Sequence, residues 1–265
     1  LDRIPQYHKN ITKYYGAVKI GGKWSLVFEK AEGDLLKFNR PPSHATTKNL
    51  AFVPDIKHHL RVLDALKSIH IRGIAHRDLK FQNLLHVKGE GGTDLVKIAD
   101  FGAGYSMGDV KHGRISTKGY VGQEIKTVSV LQHSPSFEDS YFKRIQNSTS
   151  VIEVKEDIQK LLDQLTRHKD IEESVFTVAG IIEPMTLEEK IQQIFNFVRN
   201  YDPRSSDVFA YGRILGLYRS YYHPNGHIQN GVECCRKHLS IEYIQKMKHP
   251  MPNMRPTIDE VITEI

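Results

Sequence analysis

The chain has 265 residues, 39% hydrophobic, 26% charged and 9% aromatic, the make-up of an ordinary globular protein with ample core for one large domain or two modest ones. Its formal charge of +6 is spread along the chain, which suits a handler of phosphates or acidic substrates as well as a merely solvated surface, and no cluster of basic and aromatic residues argues for nucleic acid. No apolar run approaches a membrane span and no signal-peptide pattern opens the chain; the only cysteines, Cys234 and Cys235, are adjacent and are expected to be buried or inert, so a cytoplasmic, reducing setting is expected.

In chain order, His8-Lys9-Asn10-Ile11 reads as a turn and Tyr14-Tyr15-Gly16-Ala17-Val18 as a strand. Gly21-Gly22 then makes a hairpin turn into Trp24-Ser25-Leu26-Val27-Phe28-Glu29. Residues 33–38 begin a short helix, capped or broken near Pro41-Pro42. From 54 to 70, Ile56, Leu60, Leu63, Leu66, the stem of Lys67 and Ile69 recur at helical spacing, which predicts an amphipathic helix on a core, with Gly73 as its stop. His58, His59 and His70 are expected at the surface or in caps. The adjacent pair points in different directions on a helix and cannot easily share a metal ion.

The chemistry concentrates in His76-Arg77-Asp78-Leu79-Lys80-Phe81-Gln82-Asn83-Leu84-Leu85 and in Asp100-Phe101-Gly102. Two strand-like runs, 84–87 and 95–99, joined through the Gly-rich residues 88–93, would bring two carboxylates, an amide and an ammonium to one cleft. That set suits phosphoryl transfer. Asp78 could orient and deprotonate a hydroxyl and Lys80 neutralise the moving phosphate, while Asn83 and Asp100 offer a divalent metal hard oxygen ligands.

Here the chain resembles a protein kinase: the first run is similar to the catalytic loop H-R-D-L-x-x-x-N and the second to the metal-binding D-F-G. Lys80, two residues after Asp78, resembles the serine/threonine branch. The resemblance implies an α+β, protein-kinase-like fold with a mainly helical large lobe and a partial β small lobe, its first three strands and its helix missing. It divides the chain into a small-lobe remnant and hinge (1–31), large lobe with catalytic loop and activation segment (32–125), a helical insert (126–203) and the rest of the large lobe (204–265). It also implies ATP and Mg2+. The backbone of Glu29, Lys30 and Ala31 would pair with adenine, Phe28 would be the gatekeeper, and Leu85 would line the base. No Gly-rich phosphate loop, strand lysine or helix glutamate can be placed before the hinge, so either a fragment or a degenerate relative is expected, and weak or absent catalysis from this chain alone.

Residues 116–124, Ser-Thr-Lys-Gly-Tyr-Val-Gly-Gln-Glu, resemble the end of an activation segment, T-x-x-Y-x-A-P-E, with Thr117, Tyr120 and Glu124 matching and Gly122-Gln123 replacing Ala-Pro. Arg255 resembles the late arginine that pairs with Glu124. Arg77 either binds a phosphorylated hydroxyl, with Ser116 preferred over Ser106, or serves as a structural donor. The run from Ser206 to Leu217 is similar to the family's buried helix. In it Asp207 accepts backbone hydrogen bonds from the catalytic loop, caps the helix, or does both. The long stretch between Glu124 and Asp207 sets the insert apart. One helix is expected through Val151, Val154, Ile158, Leu161, Leu162 and Leu165. A second, from Leu187 through Val198, opens on a Thr186/Glu189 capping box, and the two would form a hairpin. The insert either docks a partner or substrate or decorates the fold. Tyr218, Tyr221 and Tyr222 are expected to pack, and Ile241, Ile244 and Met247, then residues 256–265, to form closing helices.

Two functions stand open. One is a serine/threonine protein kinase transferring the ATP γ-phosphoryl to a protein hydroxyl. The other is a pseudokinase that uses the same fold for binding. A small-molecule phosphotransferase fits less well, because residues 117–124 and Arg255 resemble features tied to peptide substrates.

Overall fold

In the computed structural model, residues 4, 8–38, 52, 54–106, 117, 119–133, 139–222 and 240–265 are described. Strands β1 (Tyr14–Ile20) and β2 (Lys23–Phe28) form an antiparallel hairpin. Its turn has positive φ at both Gly21 (57°) and Gly22 (82°), the backbone a two-residue hairpin turn demands and only glycine adopts freely. The chain continues through β3 (Gly33–Asp34) into the short helix α1 (Leu35–Phe38). Helix α2 (Ile56–His70) starts at a reciprocal cap between Asp55 and His58 and ends near Gly73, whose N–H donates to the carbonyl of His70 (2.9 Å).

Strands β4 (Ile74–Ala75), β5 (Leu84–Lys88), β6 (Asp94–Ile98) and β7 (Tyr105–Ser106) follow. β5 pairs with β3 on one side and β6 on the other, and β4 pairs with β7. β4 and β7 have two residues each, and β5 and β6 five. Ile98 N donates to Asn10 O and Thr12 N to Ile98 O, both at 2.8 Å, which ties the first described residues to β6.

Helices α3 (Gln123–His133), α4 (Asp139–Asn147), α5 (Lys155–Leu165), α6 (Lys169–Ala179) and α7 (Leu187–Arg199) come next, then α8 (Arg204–Tyr222), α9 (Ile241–Met247) and α10 (Ile258–Glu264). This predominance of helix, with a few short strands, is the expected α+β class. Two cores form. In the first, Leu63, Leu66 and Ile69 of α2 meet Tyr211, Ile214 and Tyr218 of α8, with Leu84, Ile98, Met247 and Val261 around them. The second joins Val121 and Ile125 to Ile145, Ile158, Leu165, Val175, Ile194 and Val198.

Three expectations change. His59 and His70 are buried rather than at the surface, because the inward stripe of α2 includes both, and each finds a polar partner on α8 or its neighbours; His58 does cap the helix. The insert is no two-helix hairpin: α4 and α6 join α5 and α7 in the second core, and its apparent start at 126 falls inside α3. The capping box at Thr186 and Glu189 forms as expected. Tyr218 is buried and donates to the carbonyl of Pro54, whereas the side chains of Tyr221 and Tyr222, and Pro41, Pro42, Cys234 and Cys235, lie outside the described residues.

Candidate active site

The loop from Ala75 to Asn83 is clamped from below. Asp207, fully buried near the start of α8, accepts the backbone N–H of His76 and of Arg77, both at 2.7 Å, and the ring Nε2 of His70 at 2.8 Å. Three donors on one carboxylate hold the loop in a shape it would not keep alone, since Arg77 sits at a φ of 64°. His76, also fully buried, reaches the carbonyl of Ala99 with Nε2 (2.9 Å) and so joins this loop to the end of β6. The helix-cap alternative for Asp207 does not compete with this, because both its oxygens face the loop.

Above the clamp, Asp78, Lys80 and Thr117 close a triangle. Lys80 Nζ donates to Asp78 Oδ2 (2.7 Å) and Thr117 Oγ1 (2.9 Å), and the Thr117 hydroxyl donates to Asp78 Oδ1 (2.6 Å). Asn83 Nδ2 donates to the backbone carbonyl of Asp78 (2.8 Å) and to its Oδ2 (3.2 Å), which leaves the Asn83 side-chain oxygen without a hydrogen bond among the described residues. Ala99 N donates to Asn83 O (2.9 Å), so the residue before Asp100 is paired to Asn83 itself. Asp100 is exposed at a φ of 60°, and among the described residues its carboxylate accepts only the N–H of Gly102 (3.2 Å). Residues 78, 80 and 83 are thus joined by side-chain hydrogen bonds, and Asp100 follows the residue paired to Asn83. A free amide oxygen and an exposed carboxylate on neighbouring chains are the donor set a hard divalent cation takes.

Glu29 closes the hairpin by accepting Lys13 N (2.6 Å) and pairs with the largely buried Lys97 of β6 at 2.7 and 2.8 Å. Its side chain is therefore structural, while the backbone of Lys30 and Ala31 makes no hydrogen bond among the described residues. Leu85, half-buried on β5, lies opposite Asp34 and Lys97. Phe28 is 40% exposed and packs its ring on Tyr14.

Arg77 is buried, donates to the carbonyl of Ala103 (2.9 Å) and stacks over Tyr105; burial holds its guanidinium below the usual arginine range, against the pull of Tyr201, Asp207 and Tyr105. The preferred phosphate acceptor, Ser116, and the side chain of Ser106 lie outside the described residues. Glu124 and Arg255 meet as a two-armed pair with both side chains fully buried, Nη2 to Oε2 at 2.9 Å. A Cβ on residue 122 would lie 2.6 Å from the carboxyl carbon of Glu124, so an alanine there would require this carboxylate to shift. His76 and Lys97 carried no expectation of their own, and His70 only that of a surface or capping residue. His76 stood inside the motif and was legible as its first letter; the other two carried no local signal.

Comparison with known sequences fits this geometry. The sequence model of the protein kinase domain matches residues 2–264. The chain is 31% identical over 132 residues to MAP3K epsilon protein kinase 1 of Brassica napus, covering 46% of this chain and 9% of that protein. It is 37% identical over 98 residues to cytokinesis protein sepH of Emericella nidulans, covering 36% of this chain and 6% of that one. A probable serine/threonine-protein kinase 2 of Plasmodium falciparum is 33% identical over 123 residues, covering 44% and 22%. The matched stretch thus spans under a tenth of the first two relatives.

Proposed function

The chain belongs to the protein kinase family, and we propose that it is a serine/threonine kinase domain that passes the γ-phosphoryl group of ATP to a hydroxyl of a protein substrate. The observation that carries this reading is the Asp78–Lys80–Thr117 triangle beside Asn83. Thr117 presents a hydroxyl to Asp78 in the manner required of a substrate serine or threonine, and a substrate hydroxyl placed there would be oriented and relieved of its proton by the same carboxylate. Lys80 would sit beside the oxygens of the group in flight and offset their charge. Asn83 and Asp100 would hold the magnesium, which when bound draws charge from the phosphate oxygens. The free backbone of Lys30 and Ala31 would take the adenine edge and Leu85 its face. Arg77, Asp207 and the Glu124–Arg255 pair would keep the loops in place rather than touch the reactants.

We read the divisions at 31 and 203 as functional as well, with the insert beginning within α3 and its helices beside the substrate face, and place the protein in a reducing intracellular setting on its cysteine pattern. Among the described residues no helix is long and apolar enough to cross a membrane.

Transfer of label from γ-labelled ATP to a serine- or threonine-bearing protein, beside Asp78→Asn, tests the proposal. Loss of the acid–base group should slow transfer by about 10²–10⁴-fold. Equal transfer by the two forms would refute the assignment. Bound MgATP with no transfer by either form would favour the alternative of a binding module on the same fold.

A further inference from the structure

Beside the triangle, a cavity of about 420 Å³ opens between residues 119–123, α8, the chain after α9, and α6 of the insert. Among the described residues its walls include Gly119, Phe209, Thr177 and three cations, Lys126, Arg213 and Lys248, and no carboxylate. None of the three cations makes an ion pair among the described residues. Arg213 commits Nε to the carbonyl of Gly119 (2.9 Å), which fixes the guanidinium against this wall, and its terminal nitrogens make no hydrogen bond among the described residues. Lys248 is half-buried, and both its burial and the charge of Arg213 hold its ammonium below the usual lysine range. Like charges gathered in a recess without counter-ions are poorly placed until an anion enters.

The recess is also near the chemistry. Thr117, hydrogen-bonded to Asp78, is two residues from Gly119, a span of at most about 7 Å along the chain. A peptide offering its hydroxyl to Asp78 would therefore pass the recess within a few residues. We propose that this cavity is a specificity pocket for an acidic or phosphorylated side chain of the protein substrate, one to three residues from the accepting hydroxyl. The proposal rests on the kinase reading above, because the anion arrives on the peptide held at Asp78. It gives α6, through Thr177, a share in substrate choice. A doubly charged phosphoryl group would be gripped by the guanidinium fork and the two ammoniums together, and a carboxylate more weakly.

The test is peptide binding, read by fluorescence anisotropy without ATP. Labelled serine peptides carry alanine, aspartate or phosphoserine at the three positions on either side of the central serine. The full chain should bind the phosphoserine peptide about tenfold or more tightly than the alanine peptide, with aspartate between. The double variant Lys126→Gln/Lys248→Gln should bring the three within about twofold, and Lys126→Arg/Lys248→Arg should retain the ranking. Equal affinities in the unmodified chain, or a ranking that survives both glutamines, would overturn the pocket. Phosphoryl transfer is measured separately on the alanine peptide. Transfer without a charge ranking would dispose of the pocket alone, whereas a charge ranking without transfer would count against the catalytic reading alone.

Discussion

Asp78 is held by Lys80, Thr117 and Asn83, through both carboxylate oxygens and the backbone carbonyl. At this scale the informative side chains are those whose environment opposes their charge. His59 is one. Its Nδ1 meets the hydroxyl of Tyr211 (2.9 Å), its Nε2 is buried with no partner among the described residues, and burial pushes the imidazole down to about 4, with His58 adding to the effect and Asp55 opposing it. The folded form thus prefers the neutral ring, while the unfolded chain takes up the proton near pH 6.5. The stability this preference contributes is complete above about 6.5 and is lost as pH falls toward 4, amounting to about 3 kcal/mol across that window. Urea unfolding at several pH values should show the unmodified chain losing stability relative to His59→Phe between pH 6.5 and 4, with a constant difference above 7. Parallel curves throughout would show that His59 is not buried neutral.

Between elements, the buried Glu124–Arg255 pair anchors the first turn of α3 to the segment before α10. Both charges are out of water, so removing one strands the other. Arg255→Ala should cost about 3–5 kcal/mol in denaturant unfolding. Gly122→Ala should also destabilise, by pushing on the same carboxylate, and its cost should shrink once Glu124 is already alanine. Additive costs in that cycle would mean Gly122 is glycine for some other reason. These elements also mark what was legible from sequence. The hairpin at Gly21-Gly22, the length of α2 and the cap at Thr186 follow from local rules, and all three formed. Helix α6 escaped notice because little in it is locally decisive, whereas α4, with Tyr141, Phe142 and Ile145 on one buried face, carried a helical pattern that was passed over. The buried residues of α6 are Val175, Val178 and Ala179, two of them β-branched, and only packing against α3 and α7 makes them a helix face. His59 and His70 were misread for a related cause: a polar residue on an inward stripe is buried only when something across the core, here Tyr211 and Asp207, gives it a partner.

At the scale of the molecule, two cores share the work. The first carries α2, α8 and the strands that set residues 76–100, and the second packs α3 to α7 against residues 121–125. The candidate site sits on the first core, and the cationic recess lies where the two meet. The candidate residues Asp78, Lys80 and Asn83 stand in one contiguous run of the sequence and Asp100 in a second short run. The triangle with Thr117 and the clamp by Asp207 were not legible in either run, since they join positions 39 and 131 residues apart and exist only once both cores have formed. The reading depends on Asn83 and Asp100 serving one metal ion. Binding of Mn2+ with ATP, followed by electron paramagnetic resonance, addresses this directly in the full chain and in Asn83→Ala, Asp100→Ala and, as a remote control, Glu188→Ala. Each of the first two substitutions should weaken metal binding by more than about tenfold while the control leaves it unchanged. Undiminished Mn2+ binding in Asp100→Ala would contradict a shared metal site at the foot of the cleft.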